Sequence, residues 1–396
     1  MPKQKRPSLF FIYLTIFMNI VGFGMIFPLL PTYAKHFQAS DLLIGFLAAS
    51  FALAQLLFSP IWGRLSDRFG RKPIIAMSLL GNTFSFLLFG FAPSLVWIFV
   101  ARFLQGLFSA AALPVAHAYV ADITKDEERV KTMGRLGASL GLGFIFGPAI
   151  GGTLASVYFP LPFFIASFVA MLNFVSVLLF LPESLSLKSE KLVLKEGLLN
   201  IPRILKGLRG NLAPFFVLAF IWAFGLSNNQ VAVPLFSMEK LGLSVGTIGI
   251  LFALMGLTGA LTQGLFLTKF TSFFGERRSI IIGLAIMALA LIIMPFSFAV
   301  PVLSIIMMAV AFGSSISRPT VNALLSRETK EGYGTTMGIV TSFESFGRIL
   351  GPILGGMLLG ILGPHFPFLF SGSIILTTLT FVVFKTKFLT TQSPPV

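Results

Sequence analysis

Runs of about 20 consecutive apolar residues recur from one end of this chain to the other. Each is long enough to cross the roughly 30 Å hydrocarbon core of a bilayer as a helix. A backbone in lipid must satisfy its own hydrogen bonds, so helices are the spanning element such runs permit. Twelve spans are predicted, over 9–33, 42–62, 74–92, 95–120, 132–157, 161–182, 212–236, 244–268, 279–297, 300–324, 334–360 and 364–384. The fold class is therefore an all-α, multi-pass membrane protein. Only 11% of the residues are charged, against roughly 25% in soluble domains, which excludes soluble enzymes and DNA-binding proteins. Cysteine is absent and the three histidines, His36, His117 and His365, are scattered. Disulfides and thiolate metal sites are thus excluded, no metal or cofactor is expected, and no nucleophile–base constellation suggests an enzyme. The basic N-terminus runs straight into a full-length span without a small-residue cleavage site, as expected of a retained first helix.

Charge sets the expected orientation. Of 29 Lys and Arg, 24 fall at the two termini or in alternate connections; the others are Lys35, Lys240, Arg102, Arg318 and Arg348. Positive charge stays on the cytoplasmic side, so both termini are expected there. The net charge of +15 then reflects topology and a match to anionic lipid of the inner leaflet of the plasma (inner) membrane. Nucleic acid is not needed as a partner.

The densest charge lies in Gly63-Arg64-Leu65-Ser66-Asp67-Arg68-Phe69-Gly70-Arg71-Lys72, read as a short loop between two spans. Its glycines, Gly63 and Gly70, permit a tight turn and close helix approach. The run resembles the signature between helices 2 and 3 of the major facilitator superfamily, a family of membrane transporters. That resemblance implies a gating role for Asp67, holding helix 2 to helix 11. Arg71 is placed to pair with Asp122 at the inner end of span 4, and contacts of this kind set a conformational equilibrium.

The chain also repeats itself. Gly143-x-x-x-Gly147-Pro148-x-x-Gly151-Gly152 recurs as Gly347-x-x-x-Gly351-Pro352-x-x-Gly355-Gly356, and Thr132-Met133-Gly134 as Thr336-Met337-Gly338, both at an offset of 204 residues. Pro28-Leu29 recurs as Pro234-Leu235, and Phe69-Gly70 as Phe274-Gly275, within two residues of that offset. Two six-helix halves, 1–182 and 212–396, are expected around a polar linker at 183–211. In the linker Leu194, Leu198, Ile201, Leu205 and Leu208 recur at helical spacing between basic residues, the pattern of an amphipathic helix at the membrane surface. In the glycine–proline clusters proline bends a helix and glycine admits a neighbour. The span 5 cluster resembles the motif of the drug:proton antiporters within the superfamily, which implies export; a bent, tightly packed helix without directional meaning fits it as well.

Ionisable residues inside a membrane are by default functional. Glu344 is the one acid deep in a span and the first candidate to carry a proton. Arg348, four residues on, shares its helix face, so a static ion pair between them fits as well as a proton site. Arg102, in Arg102-x-x-Gln105-Gly106, resembles the family's span 4 motif associated with proton transfer. Relatives often carry acids in spans 1, 7 and 10, where this chain has Asn19, Gln230 and Ser315, so coupling would rest on Glu344. Asn19, Gln105, Asn228, Asn229, Gln230, Ser315 and Arg318 are candidates to line a substrate cavity. The resemblance implies a monomeric secondary transporter working by alternating access, exporting small lipophilic compounds in exchange for protons. A metabolite or sugar transporter of the same fold is the alternative, and a non-transporting receptor or scaffold the alternative of another class.

Overall fold

The computed structural model describes residues 9–124, 126–185, 212–329 and 333–385. Among these every regular element is a helix, and twelve helices are long and apolar enough to cross a membrane. They are α1 (Leu9–Ile26), α2 (Asp41–Phe69), α3 (Arg71–Gly90), α4 (Leu95–Ile123), α5 (Asp126–Val157), α6 (Leu161–Phe180), α7 (Ala213–Leu241), α8 (Val245–Phe274), α9 (Glu276–Phe296), α10 (Val300–Glu328), α11 (Tyr333–Leu362) and α12 (Phe366–Lys385). The predicted linker helix over 194–209 lies outside the described residues.

Proline decides where several helices break. The first span was expected to run to residue 33, but α1 stops at Ile26 and a short helix, Leu30–His36, follows. Pro28 has no N–H to give to the Gly24 carbonyl; Phe27 N–H donates to it instead at 3.3 Å, and Leu29 N–H donates to Ile26 at 2.9 Å, forming tight turns. α4 is interrupted between Ser109 and Ala112, where Pro114 leaves the Ala110 carbonyl without its donor. Pro295 closes α9 in a 3-10 turn, Met294–Phe296. In contrast Pro148 and Pro352 lie inside unbroken helices.

The charged run 63–72 is not a loop. α2 continues through it to Phe69, and the whole reversal into α3 falls on Gly70, at φ +111°. That conformation is open to glycine and strained for other residues. Gly275 makes the same reversal between α8 and α9 at φ +79°. Charged residues keep a helix going beyond the bilayer, so the end of the apolar run did not mark the end of the helix.

The packing repeats as the sequence does. α1 packs on α5 and α6, and α3 on α4 and α6; α7 packs on α11 and α12, and α9 on α10 and α12. Lipid offers no hydrophobic drive between helices, so close backbone approach does the work. A Cβ on Gly151 would lie 2.2 Å from the Met25 carbonyl oxygen, and one on Gly147 2.8 Å from that of Val21. In the second half a Cβ on Gly351 would lie 2.5 Å from the Phe224 carbonyl and one on Gly347 2.5 Å from that of Phe220.

The chain forms two compact units, one from described residues within 1–38, 50–199 and 244–253, the other from those within 39–49, 200–243 and 254–396. The first residues of α2 and α8 thus join the unit opposite to the rest of their helices. Glycine explains this too. Gly249 lies against the Pro148 carbonyl, where a Cβ would be 2.4 Å away, and Gly45 against that of Pro352, at 2.3 Å.

Candidate functional site

The second unit holds a charged cluster around one buried acid. Glu344, midway along α11, is 4% exposed and is the sole carboxylate among the buried described residues. Its partner is Arg318 on α10. Arg318 Nε donates to Oε1 at 2.9 Å and Nη2 to Oε2 at 3.1 Å, the two-pronged geometry that makes guanidinium–carboxylate pairs strong. The Arg318 side chain is 49% exposed and stacks on Trp222 of α7, 5.0 Å from the ring centroid. Trp222 is held in turn by its Nε1–H, which donates to Ser314 Oγ at 2.8 Å. A small cavity of about 10 Å³, close to the least that holds one water, lies among Trp222, Ser317, Arg318, Asn322 and Glu344. Asn322 Oδ1 is buried there without a partner.

Arg348 does not make the expected pair. It lies within electrostatic range of both Glu344 and Arg318, but its Nη2 donates to Ser345 Oγ at 3.3 Å and its Nε is buried and unpartnered. Helical spacing put Glu344 and Arg348 on one face correctly. It carried no information about how α10 is rotated against α11, and that rotation delivers Arg318. The preceding-proline position, Arg318-Pro319, matches Leu113-Pro114 in the first half, and the 204-residue offset pairs Glu344 with Leu140 and Arg348 with Phe144. All three charges are therefore peculiar to the second half.

The first unit buries two cations, Arg71 at the α2–α3 reversal and Arg102 within α4. Arg102 on α4 is 2% exposed. Its Nη1 donates to Gln105 Oε1 at 2.7 Å, and its guanidinium sits over Phe51 at 4.5 Å and Phe23 at 5.6 Å. No carboxylate pairs with it among the described residues; ring faces and one amide oxygen supply the negative side. Arg102 Nε and Gln105 Nε2 are both left without partners. Asn19, with Thr15 and Ser78, lines a second cavity of about 10 Å³ in this unit.

Of the other cavity candidates, Asn228 is committed to packing. Its Nδ2 donates to the Pro367 carbonyl at 2.7 Å and to Ser371 Oγ at 2.6 Å, tying α7 to α12. Asn229 is buried with Oδ1 unpartnered, Gln230 is half-buried, and Ser315 is buried beside Gly259.

At the α2–α3 reversal, Arg71 gathers the charges. It reaches Asp67 at 2.6 Å, Ser66 Oγ at 2.6 Å and Asp122 at 3.1 Å. Glu183 accepts the backbone N–H of Arg71 at 2.8 Å and of Lys72 at 3.3 Å, capping the N-terminus of α3. Gly63, expected to admit a close neighbour, has open space where its Cβ would be. The equivalent pair in the second half is Glu276 with Arg327, at 3.0 Å, flanked by an Arg277–Glu328 pair. Position for position, Arg71–Asp122 is matched by the same interaction with its charges exchanged.

No cluster of three or more metal-binding side chains occurs among the described residues. Comparison with known proteins agrees with a carrier rather than a catalyst. Residues 12–227 and 215–395 both match the Major Facilitator Superfamily. Multidrug resistance protein 2 of Bacillus subtilis is 34% identical over 384 residues, covering 95% of this chain and 94% of its own. The quinolone resistance protein NorA of Staphylococcus aureus is 29% identical over 360 residues, with 90% and 91% covered. The crystal structure of the nucleoside transporter NupG (D323A mutant) shares the fold at a TM-score of 0.80 with 14% identity, over 96% of this chain and 99% of that one. With the family matched in both halves, the duplicated helix packing and the twelve membrane-length helices, the chain belongs to the Major Facilitator Superfamily and is a multi-pass membrane transporter.

Proposed function

We propose that this transporter exports small lipophilic, drug-like compounds by alternating access, driven by protons, as a monomer with both termini in the cytoplasm. The names of its relatives, multidrug and quinolone resistance proteins, support the compound class. The observation that carries proton coupling is Glu344, the one acid among the buried described residues, held by a half-exposed Arg318. A carboxylate in such a place alternates between an ionised form paired with the guanidinium and a protonated form that releases it. Arg102, buried, and Arg348, half-buried, bear on the same balance as cations. Asp67, Arg71 and Asp122 make the gating network at the cytoplasmic end, with Gly70 as its pivot, and the glycines of α5 and α11 are the surfaces on which helices approach. The charge distribution favours the cytoplasmic placement of both termini.

Proteoliposomes with an imposed pH gradient test this reading. Wild type should move a lipophilic compound in response to the gradient, and Glu344→Gln should not. Equal movement by both would remove Glu344 as the proton carrier, and movement indifferent to the gradient in wild type would remove proton coupling.

A further inference from the structure

The cluster around Glu344 is one carboxylate short. Two guanidiniums, Arg318 and Arg348, share a single acid, and the one that the acid does not bind keeps a buried, unpartnered Nε. Charge inside a membrane is costly unless it is matched. The first half gives Leu113, Leu140 and Phe144 at the corresponding positions, so the excess belongs to the second half alone and is not a requirement of the shared helix packing. The exposures are also unequal. Glu344 is 5% exposed in its side chain and Arg318 is 49% exposed, so an arriving compound meets the guanidinium, not the acid.

We propose that Arg318 docks an acid group carried by the transported compound, with Glu344 passing to Arg348 as the compound arrives. The compound's acid supplies the negative charge that the cluster lacks. Before it, one carboxylate serves two guanidiniums; after it, Arg318 holds the compound's acid and Arg348 holds Glu344. The planar fork of Arg318 suits a carboxylate or sulfonate, and its support on Trp222 keeps it in place while its partner changes. The substrate class is then small aromatic or apolar compounds bearing one acid group, anionic or zwitterionic. This rests on the transporter reading above, but not on proton coupling.

Equilibrium dialysis of the purified full-length protein in neutral detergent, without any gradient, provides the test. The probes are 1-naphthoate, 1-naphthamide and 1-naphthylmethylammonium, alike in shape and different in charge. Wild type should bind the naphthoate about tenfold tighter than the amide, and the ammonium weakest. Arg318→Gln should erase the preference for naphthoate over naphthamide, and Arg318→Lys should keep part of it. Glu344→Gln should tighten naphthoate about tenfold relative to naphthamide by removing its internal competitor. A structural role would weaken all probes together and leave their ratio alone. Wild type that prefers the ammonium or binds no naphthoate, Arg318→Gln or Arg318→Lys variants that bind the acid and amide in the wild-type ratio and none of it respectively, or Glu344→Gln that weakens naphthoate relative to naphthamide, would each overturn the proposal. Displacement of naphthoate by phosphatidylglycerol at equal concentration would make an anionic lipid the occupant and overturn it likewise.

Discussion

At the scale of single residues, the Arg318–Glu344 pair is the most exposed to failure. Removing Glu344 strands two guanidiniums, and a stranded buried polar group costs about 1–3 kcal/mol. Glu344→Met should therefore lower the thermal midpoint of the protein in detergent, because Arg318 and Arg348 then have no carboxylate between them. Arg318→Met combined with Glu344→Met should recover part of the loss, since a single guanidinium, Arg348, then stays unmatched, as one does in the wild type. A double variant less stable than either single variant would show that the pair contributes more than its own satisfaction. The sequence marked Glu344 readily, as a lone acid in an apolar run, and it marked Arg348 as its neighbour by helical spacing. It did not mark Arg318 as the partner. Residues 26 positions apart on different helices meet only when both helices are rotated into place, and periodicity within one helix says nothing of that.

At the scale of helices, glycine sets what can change. Gly151→Ala puts a methyl against the Met25 carbonyl, where backbone cannot yield; overpacking of this kind costs roughly 1–3 kcal/mol. Gly134→Ala meets nothing within 4 Å, and alanine is the better helix former by up to about 1 kcal/mol. Thermal unfolding of the two variants should move in opposite directions; equal losses would mean the α1–α5 approach does not limit stability. The glycine–proline clusters were legible as packing surfaces because their spacing of four repeats one helix face. Helix ends were less so. The apolar pattern stops at the bilayer edge while α2 carries on to Phe69, and the first span was read through Pro28 because its apolar composition continues past the break.

At the scale of the whole molecule, twelve spans were legible from length and hydropathy alone, and the duplication from a shared offset. The lack of cysteine gives a clean test of the orientation inferred from charge. Ser94→Cys, in the α3–α4 connection, should react with a membrane-impermeant thiol reagent added to intact cells; Ser272→Cys, near the end of α8, should react only after permeabilisation. The reverse pattern would invert the topology. Two similar halves in one chain also raise a problem of assembly, because helices from one half resemble the proper neighbours of the other. The exchanged ion pairs bear on it. If α3 met α10 in place of α4, Arg71 would face Arg327; if α9 met α4, Glu276 would face Asp122. Each native pairing brings opposite charges together, and each crossed pairing brings like charges together, so the reversal of sign lets a duplicated chain tell its own halves apart as it folds.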